Sequence, residues 1–264
     1  IVAICYSAKA QQPDTNNGLF YIAPKIWGQV DGVLNEWQEF TPVYLNRSIH
    51  AKYRQQDWGG TQDCSAKFWW GWNDQGIQFA AEVIDDSISS PFKENMLWAN
   101  DCIQFVIDPM DDNSQEVYQN DDREFVITRL DTTPMVYEFA FSEHRKSGAR
   151  DYPAMVSVSA DTIRYEVSIP WLELGISGSP GGMHIGASLV VFDNDGDDFR
   201  GWLEWTSGIA AKKFTLPYAN ILLYDKQIRM AQAIATQPFL AVSDTLSFWV
   251  HSRYWRQQIS YRLF

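Results

Sequence analysis

The sequence reads as an all-β protein, an antiparallel β-sandwich of jelly-roll or immunoglobulin-like layering with little helix. Three observations carry that reading. Short stretches rich in β-branched and aromatic residues recur with turn signals between them. No segment of helical period is long enough to connect parallel strands by crossover. The chain has 264 residues, enough for one large β domain or for one domain plus a small appendage.

The elements follow in order. Residues 65–73 (SAKFWWGWN) predict a strand that reaches the turn Asn73-Asp74-Gln75-Gly76 and returns as a hairpin through 77–84 (IQFAAEVI). On the first strand Trp70 and Trp72 share a face and Trp69 points the other way. A loop over 85–101 leads into a strand at 102–107, where Ile103, Phe105 and Ile107 alternate before Asp108-Pro109 stops it. An acidic loop at 108–122 precedes strands at 124–130, 136–141, 154–159 and 162–169. Ile169-Pro170-Trp171 reads as a strand end entering a helical turn, with Trp171 plugging the core. Residues 185–192 form a nearly continuous apolar run, expected to be buried on both faces. Trp202 and Trp205 fall on opposite faces.

The ends are read differently. Residues 1–10 look like the tail of an export signal, with an apolar Ile1 to Cys5 and Ala8-Lys9-Ala10 as a small-x-small cleavage site before Gln11. A leader is expected over 11–29, the sandwich over 30–224 and a linker over 225–240. Residues 241–264 alternate like a hairpin that either completes the sandwich or begins a truncated second domain; they resemble the opening of the C-terminal sorting domains of Bacteroidetes-type secreted proteins. Export predicts a secreted or cell-surface bacterial protein, and leaves Cys64 and Cys102 as either a disulfide or two buried thiols. No run reaches the ~18 apolar residues of a transmembrane helix.

A net charge of −12 and an isoelectric point near 4.7 argue against nucleic acid and anionic membranes as partners. Twelve Trp, twelve Tyr and fifteen Phe are more rings than a core needs, so some are expected as exposed platforms. The four histidines, His50, His144, His184 and His251, sit in no nucleophile or metal motif, which argues against catalysis, while the abundant acids leave a carboxylate pair for glycoside cleavage open.

One run concentrates the chemistry. Trp98, Asn100 and Asp101 stand just ahead of the 102–107 strand. A flat ring stacks on the C–H face of a pyranose while carboxylates and amides bond its hydroxyls. Four landmarks accompany it in order: Val30-Asp31-Gly32 through Trp37, the Trp-rich hairpin closing at Asp85-Asp86, the Trp98/Asp101 strand, and Glu166 to Trp171 followed by Phe192-Asp193-Asn194-Asp195. Over about 30–224 this set resembles the family-nine carbohydrate-binding modules, non-catalytic sandwiches attached to secreted polysaccharide-degrading enzymes. The resemblance implies that Trp98 is one wall of an aromatic clamp. The second wall falls in 206–218, which lacks a Trp, so Phe214 and then Tyr218 are the nearest rings. It also implies that Arg200, seven residues after Asp193, donates to sugar. A second sugar-contacting Arg falls near Val126, flanked here by Arg123 and Arg129.

Structural calcium is the implied cofactor. The loop Asp193-Asn194-Asp195-Gly196-Asp197-Asp198 alternates oxygen ligands around a Gly turn but lacks the distal Glu of an EF-hand. The cation is expected there or among Asp85, Asp86 and Asp108, with a solvated acidic turn as the other reading. The expected partner is a mono-, oligo- or polysaccharide, with a linked catalytic or sorting domain. Two other functions stay open. Related sandwiches bind haem through Met and His, here Met96, Met183 and His184. A surface adhesion or assembly module would have no sugar site.

Overall fold

The computed structural model describes residues 19–115, 117–141, 145–196, 199–225, 245–251 and 256–262, the backbone alone at 199–200 and beyond 225. Among them, two sheets stack as a sandwich. The smaller has five strands in the order β10 (Ala154–Ser159), β11 (Thr162–Pro170), β5 (Gly76–Asp85), β4 (Cys64–Trp72), β2 (Val43–Leu45). The larger runs β1 (Phe20–Pro24), β14 (Ala219–Tyr224), β12 (His184–Asn194), β6 (Cys102–Asp108), β7 (Arg123–Leu130), β8 (Thr133–Phe139), β9 (Gly148–Arg150). β13 (Phe199–Glu204) branches from β12 and pairs β3 (Ala51–Lys52). A separate hairpin joins β15 (Thr245–His251) to β16 (Arg256–Arg262), where the alternating tail predicts one.

Pairing is antiparallel except for β1, which runs parallel to β14 from Phe20↔Asn220 to Pro24↔Tyr224. This corrects the expected leader at 11–29. Its second half holds five largely apolar residues, FYIAP, that cover the open edge of β14, so the sandwich begins ahead of residue 30. Residues 1–18, with the export signal, and 226–244, with the linker, lie outside the described residues.

Period-two alternation builds the core. Trp70 and Phe79 from one sheet meet Phe105 and Phe125 from the other, with ring centroids 4.9, 5.3 and 5.5 Å apart along the row. β12 is buried along nearly its whole length, as its apolar run predicts. Trp69 turns to the outer side of the small sheet, against Trp37, Leu34 and Ile26. There buried Glu166 accepts from Trp37 Nε1 at 2.9 Å and from the Gly32 amide at 2.7 Å. Gly32 has φ +80°, so the Asp31-Gly32 turn that points two amides at one carboxylate needs glycine there. Landmarks 130 residues apart are thus one contact.

Cys64 and Cys102 are free and buried. Cys64 belongs to the inter-sheet core and Cys102 to the outer face of the large sheet, so their side chains point apart and the disulfide alternative falls.

At the β8 edge the nearly inaccessible Glu138 accepts from Arg145 at 2.8 and 3.0 Å and from Arg150 at 2.7 Å. Burial alone would raise its carboxyl, but the two guanidiniums hold it below the ordinary value. Its contribution to stability is therefore present above the unfolded-state value and lost as pH falls through the lower folded one. Glu138→Gln is expected to cost about 2–3 kcal/mol at pH 7, by urea denaturation. The loss should shrink toward pH 3; a loss independent of pH would refute the ion-pair account.

Candidate functional site

The outer face of the large sheet is a ladder of three rungs set by strand register. Trp202, Phe192 and Cys102 form the first; Glu204, Val190, Gln104, Val126 and Tyr137 the second; Ser188, Val106, Glu124 and Phe139 the third. Two loops lie on it. The 3-10 helix Glu94–Ala99 packs on β6, β7, β8 and β12 and sets half-buried Trp98 against Phe192, ring centroids 6.0 Å apart. The 205–218 loop brings Ile209, Ala210 and Tyr218 into the same apolar cluster as Trp98.

A polar centre lies on this face. Lys213 Nζ donates to both oxygens of buried Glu124, at 2.8 and 2.7 Å, and Gln104 Nε2 donates to Glu124 Oε1 at 2.5 Å. Burial pushes the Glu124 carboxyl above its ordinary value in spite of Lys213. Lys213 also lies over the rings of Tyr118 and half-exposed Phe141, 5.9 and 5.4 Å from the centroids. Sequence reasoning passed over this group. Its one local signal is Gln104, a polar residue on the side of the 102–107 strand opposite the apolar alternation.

The predicted site residues divide. Trp98 and Phe214 are half-buried on the two loops. Tyr218 is buried, its hydroxyl 2.9 Å from that of Tyr118 and donating to the Gly208 carbonyl at 3.1 Å, so it is loop scaffold and no platform. Asn100 is also buried and clips the Phe92 backbone through both its amide oxygen and nitrogen, 2.8 and 2.9 Å. Asp101 accepts from the amides of Asn194, at 2.7 Å, and Ser89. Neither Asn100 nor Asp101 faces a surface ligand as the sequence suggested: each turns inward to satisfy loop amides. Arg200 is in β13, its side chain outside the described residues, as is Asp197.

Asp101 instead joins an acidic centre. Carboxylate oxygens of Asp85, Asp101 and Asp193 lie within 4.8 Å of one another, and Asp85 also groups with Asp86 and Asp195. Strand ends explain the convergence: Asp85 closes β5, Asp101 precedes β6, and Asp193 is next to last in β12. Burial, then neighbouring acids, push Asp85 up to about 6, Asp193 to about 8 and Asp101 to about 9. Asp85 Oδ2 is buried without a hydrogen-bond partner. Asp108 does not belong here. It ends β6, seven residues and about 23 Å of extended chain away, and groups with Asp121 and Asp122.

Haem ligation by the expected residues is excluded by distance. Met96 lies in the 3-10 helix Glu94–Ala99, whose last residue accepts from Asn194 at the end of β12, while His184 starts that strand and Met183 precedes it, about 30 Å off along the strand.

Residues 26–219 match the family described as "Carbohydrate family 9 binding domain-like". Among solved structures, a family 9 carbohydrate-binding module from Caldicellulosiruptor kristjanssonii in complex with cellotriose is similar at TM-score 0.61 and 18% identity, covering 78% of this chain and 94% of that one. Its glucose complex gives 0.58 and 18%, over 78% and 96%. A putative carbohydrate-binding protein from Bacteroides uniformis ATCC 8492 gives 0.55 and 12%, over 77% and 98%. No curated protein matches the chain.

Proposed function

The chain belongs to the carbohydrate family 9 binding domain-like family, and from that premise we propose that it is a non-catalytic module that binds a saccharide on the outer face of its large sheet. The supporting observation is the pairing of half-buried Trp98 with the Gln104–Glu124–Lys213 centre on one face of the sandwich. A pyranose offers an apolar C–H face and a rim of hydroxyls. The indole takes the first; half-buried Lys213, held by Glu124 with Gln104 behind it, takes the second. Phe214 supplies a second, smaller wall. One stacked ring is worth ~1–2 kcal/mol, so affinity is modest, roughly micromolar to millimolar. Glucose and cello-oligosaccharides are the first ligands to try, since the similar modules were solved with them. In this reading the module is exported and holds a partner polysaccharide-degrading enzyme against its substrate, and that partner carries any hydrolysis.

The acidic centre fits a calcium ion. Hard cations take carboxylate oxygens, and here three carboxyls converge with an orphaned oxygen on Asp85. When bound, the ion neutralises charge that the fold otherwise buries. Asp85, Asp101 and Asp193 would hold it, with Asp86 and Asp195 beside them. Asp101 and Asn194 then fix the segment that carries Trp98, since Asn194 Nδ2 also donates to the Ala99 carbonyl, which follows Trp98 directly.

Trp98→Ala is expected to weaken cellotriose binding at least tenfold by calorimetry, with an unchanged circular dichroism spectrum, because a half-exposed ring contributes little to the core. Binding equal to that of the parent protein would remove Trp98 from the site; loss of fold would make it an edge cover.

A further inference from the structure

A cavity of about 190 Å³ opens at another point of the molecule, where β7 ends beside the β10–β11 hairpin. Phe125 and Ile127 of β7 point into the core, and Arg129, next in that alternation, points the same way into the cavity. Arg129 is half-buried and makes no hydrogen bond or ion pair among the described residues. A guanidinium fork that lines a cavity without a protein acceptor is free to take an anion. The wall opposite is aliphatic, made of Val156, Val158 and Ile163. Ser90 and Asp131 add a hydroxyl and a carboxylate; Asp101, whose carboxyl already accepts from the Ser89 and Asn194 amides, completes the polar lining beside Ile88 and Tyr165.

We propose that this cavity binds a small molecule carrying one carboxylate on a body the size of a single sugar ring, with Arg129 as the anchor. The planar fork of Arg matches a carboxylate through two parallel hydrogen bonds. The aliphatic wall takes the ligand's C–H face, and Ser90 and Asp131 bond hydroxyls where it has them. The volume corresponds to about six waters, room for one ring and not for an oligosaccharide. Two sources share this chemistry, a hexuronic acid and a short branched aliphatic acid. The inference does not depend on the outer-face reading: Trp98, Gln104, Glu124, Lys213 and Phe214 do not line the cavity, and the residue it shares with the acidic centre is Asp101.

Calorimetry with galacturonate, glucuronate, 3-methylbutanoate and glucose tests it, on the parent protein, Arg129→Gln, Arg129→Lys and Trp98→Ala. At least one carboxylate should bind the parent protein, weaken tenfold or more in Arg129→Gln, recover in part in Arg129→Lys, and stay unchanged in Trp98→Ala. A preference for the uronates assigns a sugar acid; a preference for 3-methylbutanoate assigns the aliphatic source. Failure of all three carboxylates to bind, or equal binding by folded Arg129→Gln, overturns the proposal. Loss of glucose binding in Trp98→Ala with retained carboxylate binding separates the two sites, whereas joint loss overturns a separate cavity site.

Discussion

Removing calcium at pH 8 should lower the melting temperature by roughly 10 °C, and restoring it should reverse the change. Free calcium at a thousandfold its dissociation constant contributes about 4 kcal/mol, and a domain of this size shifts by about 2–4 °C per kcal/mol. The pH dependence gives the sharper test. Asp85, Asp193 and Asp101 have folded values of about 6, 8 and 9, all above the ordinary 3.8. Below 3.8 they are neutral in both states and contribute no difference. As pH rises through the folded values, the unfolded chain has released protons that the folded chain still holds, so the calcium-free protein loses stability from about pH 4 to pH 9. Calcium binds the ionised carboxylates and gains over the same window. The gap between calcium-loaded and chelated melting temperatures should therefore widen with pH. Asp193→Asn should abolish the gap and stabilise the calcium-free protein at pH 8. A gap that narrows as pH rises, or no effect of chelation at pH 8, refutes the cation site.

Trp171→Ala should cost on the order of 3–5 kcal/mol, with no change in the residues of the outer face. Trp171 is 5% exposed and packs into the inter-sheet core. Its indole donates to the Asn73 carbonyl at 2.8 Å and its own amide to the Gln75 carbonyl, which clips the β4–β5 turn to the end of β11. Truncation removes the ring, opens a cavity and frees that turn. Trp171→Phe should recover much of the packing but leave the Asn73 carbonyl without its indole donor. Urea denaturation of both variants measures the two parts. A loss below about 1 kcal/mol in Trp171→Ala would mean that the ring is dispensable to the core.

Sequence showed the fold wherever local alternation matched burial. The hairpin of β4 and β5, the Ile103-Phe105-Ile107 strand and the Ala154–Ser159 strand all stand where their patterns predict. What escaped was short or irregular. β2, β3 and β9 have two or three residues each, too few for a period. β13 contains Gly201 at φ +152°, and β1 owes its strand character to the open edge of β14, 200 residues away. The site divides on the same line. The place of Trp98, half-buried ahead of β6, was legible because a ring ahead of an alternating strand is a local pattern. The burial of Asp101 was not, because it arises where Ser89 and Asn194 bring amides from two other segments. The Glu124–Lys213 pair spans 89 residues and exists only once the 205–218 loop folds over the sheet.

The parallel pairing of β1 with β14 has a mechanical consequence. The chain enters β1 at one end of the sheet and leaves β14 at the other. Tension applied through the flanking segments pulls these neighbours lengthwise past each other, so their hydrogen bonds carry the load together, where a hairpin would unzip one bond at a time. Escape under force is set by the unfolding rate and not by equilibrium stability. The first and last strands of the sandwich are thus arranged as a shear clamp against tension between its flanking segments.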